Sequence, residues 1–319
     1  MKERPHKVML TFDVEGLPPK QDFFEPVSAL YLNKTLDLLE EKSFKGIFFL
    51  TGIVARQIRK YPDIVKRLAC HEIGYHSSSH ARPMITEYTD VASFEEAVAV
   101  SLDKETSRAN SKTEHVEDKS GLLTVRETFP KNDIRCFRAP FLAWSPPHLE
   151  ALKRLGITFD FSTGISDDPV SFRGIAFFPY PLPTDGVVRT LVQKGPEGFL
   201  LEPLTSTLLR RKVTVLSMHP SNLPIKNPFA TADKIEVGGK IRTKFAILFQ
   251  RFLLDRIHFL QESRLIEVTC ALGQKWHTPC LEKADIERIY RLSVREVVRL
   301  FKCNPRFVFS HFVQFFGSN

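Results

Sequence analysis

Short apolar runs alternate with longer stretches of helical spacing through most of this chain. KVMLTFDV (7–14) predicts a strand, and the following stretch 26–44 places Leu32, Leu36 and Leu39 at helical intervals. GIFFLTG (46–52) predicts a second strand, and 53–69 predicts helices broken near Pro62. Another helix is expected over 94–109, a strand over 133–140 stopped by Pro140, and a helix over 145–156 with early prolines and a closing glycine. ITFDFS (157–162) and KVTVLSMHP (212–220) predict strands, 243–263 a long helix, and LIEVTC (265–270) a closing strand. Such alternation predicts an α/β fold in which helices cover a parallel sheet, either open or closed into a barrel. The polar, weakly patterned stretch 103–133 is expected to be a surface insertion or a helix end plus loop. Beyond about residue 272 the alternation stops; 282–301 has the pattern of an amphipathic helix, and 304–319 is aromatic and ambiguous.

The chain has 319 residues, enough for one large domain with an appendage, and its 43 % hydrophobic and 26 % charged content is that of an ordinary globular protein. Five scattered cysteines with no C-x-x-C pair argue for reduced thiols rather than a disulfide framework. No run is long or apolar enough to span a bilayer, and MKERPHKVML has no signal-type apolar segment, so a cytoplasmic location is expected. The net charge of +8 is uneven: residues 234–319 hold 15 Lys+Arg against 8 Asp+Glu, so +7 of it lies in the last quarter. A basic end attracts anions such as lipid headgroups or phosphates, or is simply a solvated helical surface. For nucleic acid there is charge but no recognisable motif, and such binding is not expected.

The polar residues worth asking about sit where strands end. In TFDVEG two acids, Asp13 and Glu15, close an apolar run; residues i and i+2 of a strand share a face, so both carboxylates point the same way. In CHEIGYHSSSHARP, His76 and His80 stand four apart, one helical turn, a common way to hold a divalent ion. Two histidines plus one carboxylate serve both hydrolytic zinc sites and non-haem iron sites, so the metal stays open on chemistry alone. Arg138 in CFRAPF, Asp160 in TFDFST and His219 in VLSMHP end three more strands. Parallel α/β folds gather their catalytic groups at strand C-terminal ends.

These residues, in this order, resemble the motifs of the NodB-homology polysaccharide deacetylases, carbohydrate esterase family 4. Thr11-Phe12-Asp13 is similar to the acidic motif, His76-Ser77-Ser78-Ser79-His80 to the H-[ST]-x-x-H motif and Arg138-Ala139-Pro140 to the R-x-P motif. FDFST is similar to the fourth motif and VLSMHP to the last, and the likeness runs over roughly residues 6–270. It implies a distorted (β/α) barrel of about seven strands over 1–272, with 273–319 as a C-terminal helical extension. The implied reaction is metal-dependent hydrolysis of N-acetyl groups from amino sugars. The implied metal ligands are Glu15, His76 and His80, holding Zn²⁺ or else Co, Ni, Mn or Fe. Asp13 would be the general base, Arg138 would hold it ionised, and His219 would protonate the leaving amine. The backbone N–H of Phe141, after Pro140, would meet the oxyanion. Asp160 would orient His219, with Asp167 or Asp168 as alternatives.

Two positions depart from the family pattern. Val14 separates the two acids that are usually adjacent, which moves the ligand role to Glu15, and Phe141 stands where many relatives have Tyr. The alternatives are a related amidohydrolase acting on a small cyclic amide or formamide, and a carbohydrate-binding module without turnover. The long helix mixes Lys240, Arg242, Lys244, Arg251 and Arg256 with Phe245, Phe249, Phe252 and Leu253. Basic and aromatic residues together suit an anionic membrane surface and a lipid-linked sugar, and equally an apolar face laid on the barrel wall.

Overall fold

The computed structural model describes residues 5–16, 24, 26–78, 121–142, 149, 152–162, 168–179, 182–183, 208, 211–220, 240–272, 274–276 and 278–285. The helix expected over 94–109 and the extension from 286 onward lie outside the described residues.

Among the described residues, ten short strands form one curled sheet, a half-barrel. They are β1 (His6–Val14), β2 (Ile47–Leu50), β3 (Glu72–Tyr75), β4 (Cys136–Phe137), β5 (Phe159–Asp160), β6 (Val170–Phe172), β7 (Ile175–Phe177), β8 (Leu182–Pro183), β9 (Val213–Met218) and β10 (Ile266–Val268). Their order is β6-β7-β5-β4-β3-β2-β1-β9-β8, and β10 pairs with β1. β1 is the centre: its first half pairs with β10, its second half with β2, and its other edge with β9, all in parallel. The β6–β7 hairpin alone is antiparallel among the described pairs. Arg173 and Gly174 both have positive φ there (48° and 88°), as a two-residue turn matched to strand twist requires.

Period-two alternation sorts β1 cleanly. Val8, Leu10, Phe12 and Val14 join the core under the helices, together with Leu32, Leu36 and Leu39 of α1 (Pro26–Glu41). Met9 joins a smaller inner core with Ile47, Phe49, Cys136, Phe161, Phe178 and Val215. Thr11, Asp13 and Glu15 follow Met9 in the same phase and therefore face inward. Helices α2 (Gly52–Gln57) and α3 (Pro62–Leu68) are separated by a 3-10 turn, with Thr51 capping α2 through its side chain (3.2 Å to the Val54 N–H) and Pro62 opening α3. Arg67 ties α3 to Glu40 and Asp37 of α1 at 2.8 and 2.9 Å.

Part of the stretch 103–133, expected to be a surface insertion or a helix end plus loop, is a helix that folds into the core. Helix α4 (Gly121–Thr128) buries Leu122 and Val125, an apolar face of a single eight-residue helix behind a polar tract. Helix α5 (Lys240–Glu262) lies along α1, joined by Arg251–Glu41 (2.7 Å) and Lys42–Asp255 (2.6 Å). Glu72, at the start of β3, accepts hydrogen bonds from the Ala271 and Leu272 backbone N–H groups and so seals the sheet at the end opposite His76, which follows β3. No described helix is long and apolar enough to cross a membrane.

Candidate active site

Four strand ends bring their polar residues to one inward-facing spot. β1 delivers Asp13 and Glu15, 4 % and 2 % exposed; β3 delivers His76; β4 delivers Arg138, fully buried; β9 delivers His219. In β9, Val213 and Val215 lie in the inner core, so Ser217 and His219 continue that phase.

Arg138 is the organising residue. Its guanidinium donates to Asp13 Oδ1 at 2.6 Å, to Ser217 Oγ at 3.1 Å and to Thr11 Oγ1 at 2.7 Å. It lies 4.5 Å from the centre of the Phe49 ring, which fixes its plane from below. Burial alone would push the Asp13 carboxyl up; Arg138, followed by His76 and His219, outweighs that and holds it below the usual range. The backbone of the same residue aims a histidine: the Arg138 carbonyl lies 2.7 Å from His76 Nδ1. A carbonyl can only accept, so Nδ1 carries a proton, and whenever Nε2 is unprotonated it presents its lone pair.

That lone pair meets Glu15 Oε1 at 3.1 Å. Two acceptors at this distance repel unless a proton or a cation lies between them. His219 Nε2 stands 3.4 Å from Asp13 Oδ2 and 3.8 Å from Glu15 Oε1. Asp13, Glu15 and His219 offer ligand atoms all within 4.8 Å of one another. Two buried carboxylates and two imidazoles with only one guanidinium among them form a donor set that suits a divalent cation of borderline hardness. Among the described residues, the three that could hold an ion together thus include Asp13 and His219, to which the family resemblance gives the roles of base and acid. His80 lies outside the described residues.

The loop carrying His76 is clamped by close packing. Ser77 and Ser78 carbonyls accept from the Gly52 and Ile53 N–H groups at the start of α2, both at 3.0 Å. A Cβ on Gly52 would come within 2.4 Å of Gly121 Cα, and one on Gly121 within 2.5 Å of Ser78 Oγ. Glycines at both positions therefore let α2, α4 and the histidine loop meet.

Asp160 is a correction. Its register partner Phe137 packs in the helix-side core, so Asp160 projects from the face opposite His219. Its Oδ1 accepts from the Ser162 N–H at 2.7 Å, and Ser162 Oγ accepts from the Ala139 N–H at 2.7 Å. Asp160 thus braces the Arg138–Pro140 turn instead of orienting His219. Fully buried, its carboxyl is pushed up to about 7 by desolvation, against the Ser162 hydrogen bonds and the charge of Arg138. Asp168 pairs with Lys212 at 3.3 Å, and Asp167 lies outside the described residues. Pro140 is buried and opens a 3-10 turn, Pro140–Leu142, that contains Phe141. The sequence reading missed Thr11 and Ser217, the register partners that hold Arg138. Each sits two residues before a site residue on the same strand face, and that spacing was the available signal.

Comparison with known proteins follows the same line. Residues 1–159 match the model of the polysaccharide deacetylase family. No curated protein matches the chain. A Mycobacterium smegmatis protein assigned as a polysaccharide deacetylase superposes with a TM-score of 0.50 at 15 % identity, over 86 % of this chain and 96 % of that one. The 4-alpha-glucanotransferase of Thermococcus litoralis superposes with a TM-score of 0.54 at 12 % identity, over 96 % of this chain but only 48 % of its own length. At these identities the two structures speak for the fold alone. With the family match over the half of the chain that supplies Asp13, Glu15, His76 and Arg138, the chain belongs to the polysaccharide deacetylase family.

Proposed function

We propose that this protein is a metal-dependent hydrolase that removes N-acetyl groups from amino sugars in a glycan or lipid-linked sugar. The observation that carries the reading is the meeting of Asp13, Glu15, His76 and His219 over a buried Arg138.

Glu15 and His76, with His80, would hold a divalent ion such as Zn²⁺. Bound there, such an ion supplies Lewis-acid polarisation of the acetamide carbonyl and lowers the pKa of a water toward about 7. Asp13 is the weaker candidate for ligand because Arg138 already neutralises it at 2.6 Å, whereas Glu15 faces the His76 and His219 imidazoles. Held ionised and oriented, Asp13 accepts the proton of the attacking water. His219, with 26 % of its side chain exposed against 2 % for His76, stands on the open side where a sugar can reach it. It delivers a proton to the departing amine nitrogen as the C–N bond breaks, leaving acetate and a free amine. The Phe141 backbone N–H is the proposed donor to the oxyanion. Arg138 and, behind the turn, Asp160 position these groups.

Acetate release from N-acetylglucosamine oligomers, a lipid-linked N-acetylated sugar and a panel of ring amides, before and after chelation, tests this. The reading expects acetate from a sugar substrate, abolished by chelation and restored by a divalent ion. Turnover of ring amides alone would move the assignment to a small-amide hydrolase, and tight sugar binding without turnover would make it a binding module.

A further inference from the structure

The peptide that joins Arg138 to Ala139 lies just past the last ladder bonds of β4. Up to that point strands satisfy one another: the Arg138 N–H donates to the Tyr75 carbonyl of β3 at 3.1 Å, and the Phe161 N–H donates to the Phe137 carbonyl at 2.9 Å. Beyond it side chains take over. The Arg138 carbonyl accepts from His76 Nδ1 at 2.7 Å, and on the other side of the same peptide the Ala139 N–H donates to Ser162 Oγ at 2.7 Å. Buried backbone groups are paired almost without exception, and here the partners are an imidazole of the site and one serine hydroxyl.

The serine is itself held. Its backbone N–H donates to Asp160 Oδ1 at 2.7 Å, and its hydroxyl is hydrogen-bonded to the same carboxyl, which leaves an Oγ lone pair for Ala139. A chain of hydrogen bonds thus runs from Asp160 through Ser162 and one peptide to His76, whose Nε2 is 3.1 Å from Glu15 Oε1. His76, Arg138, Ala139, Asp160 and Ser162 are all at most 2 % exposed, so bulk water does not reach it. In such a dry site hydrogen bonds in series polarise one another, and a peptide whose N–H is donated offers a stronger carbonyl acceptor. Deleting the Ser162 hydroxyl leaves the buried Ala139 N–H without that acceptor and weakens the carbonyl that holds His76.

We propose that Ser162 is a positioning residue for the site: through the Arg138–Ala139 peptide it strengthens the carbonyl that accepts from His76 Nδ1, and so holds the imidazole with Nε2 on Glu15. On the reading above, which makes His76 a ligand, a better-held imidazole binds a divalent ion more tightly, as outer-shell acceptors of ligating histidines ensure elsewhere. The relay of hydrogen bonds does not itself rest on that reading.

The test compares wild type with Ser162→Ala, which deletes the hydroxyl, and Ser162→Thr, which keeps it. In the metal-free full chain, the His76 Nδ1–H proton resonance, identified by its absence in His76→Gln, should move upfield in Ser162→Ala and return in Ser162→Thr. Zinc affinity, read by competition with a chromophoric chelator, should fall about three- to tenfold in Ser162→Ala, less than for a direct outer-shell partner because the effect crosses a peptide. Ser162→Thr should recover it. If the threonine methyl prevents folding in so buried a place, Ser162→Cys takes its role; its thiol bonds more weakly and should fall between alanine and wild type in both readouts. An unmoved resonance or wild-type zinc affinity in folded Ser162→Ala overturns the proposal. So does a loss that the hydroxyl variant fails to restore, because the serine would then act by packing alone. Zinc binding without acetate release sinks the deacetylase reading and leaves this proposal standing. A wild type that binds no zinc overturns the metal reading and the role of Ser162 in it together, whereas an unmoved resonance counts against Ser162 alone.

Discussion

Replacing Asp160 with Asn separates the charge of a buried carboxyl from its shape. Asp160 is completely buried, its Oδ1 holds the Ser162 N–H, and its Oδ2 has no hydrogen-bond partner. Desolvation raises the folded pKa from 3.8 to about 7. A carboxyl whose folded pKa is raised keeps its proton longer in the folded state than in the unfolded one. Folding is therefore unpenalised below the unfolded value, and stability falls as pH rises through the window between about 4 and 7. At about 1.4 kcal/mol per pH unit, the full penalty above that window is roughly 4 kcal/mol. The asparagine keeps the acceptor oxygen and cannot ionise. Urea unfolding of wild type and Asp160→Asn at matched pH values cancels every other titrating group. The variant's advantage should grow by roughly 3–4 kcal/mol between about pH 4 and pH 8. Parallel stability curves across that range would refute a buried, proton-holding Asp160.

Arg138→Met removes the cation beneath Asp13 and leaves a carboxylate uncompensated in a buried site, which should cost about 3–5 kcal/mol by urea unfolding. Adding Asp13→Asn to it should recover much of that loss; strictly additive effects would mean that the 2.6 Å pair is not coupled. Gly52→Ala would press a methyl to 2.4 Å from Gly121 Cα, backbone against backbone, so roughly 1–3 kcal/mol of stability should be lost with any activity, as the His76 loop shifts. An unchanged melting temperature would contradict the close approach of α2 and α4.

The strand-end chemistry was legible because alternation in a buried strand is strict. Once Phe12 and Val14 belong under the helices, Asp13 and Glu15 must share the inner face, and the structure puts them there. The same rule, applied one strand further, would have excluded Asp160 from His219. It failed because β4 and β5 are two residues each, too short for their phase to show in sequence, and only the Phe137–Asp160 register settles it. The β6–β7 hairpin escaped for a similar reason, three-residue strands around Arg173-Gly174. Glu72 gave no local signal at all: its partners are backbone groups about 200 residues away. The long helix could be read as wall-covering or surface-seeking because its apolar residues divide between a buried face and an exposed one.

The proposed division of labour between the two acids of TFDVEG is tested most directly by paired metal titration and acetate release on Asp13→Asn and Glu15→Gln. Asp13→Asn should bind zinc about as wild type does yet lose most turnover, while Glu15→Gln should lose metal affinity about tenfold or more. Wild-type zinc affinity in Glu15→Gln, or full turnover in Asp13→Asn, would contradict it.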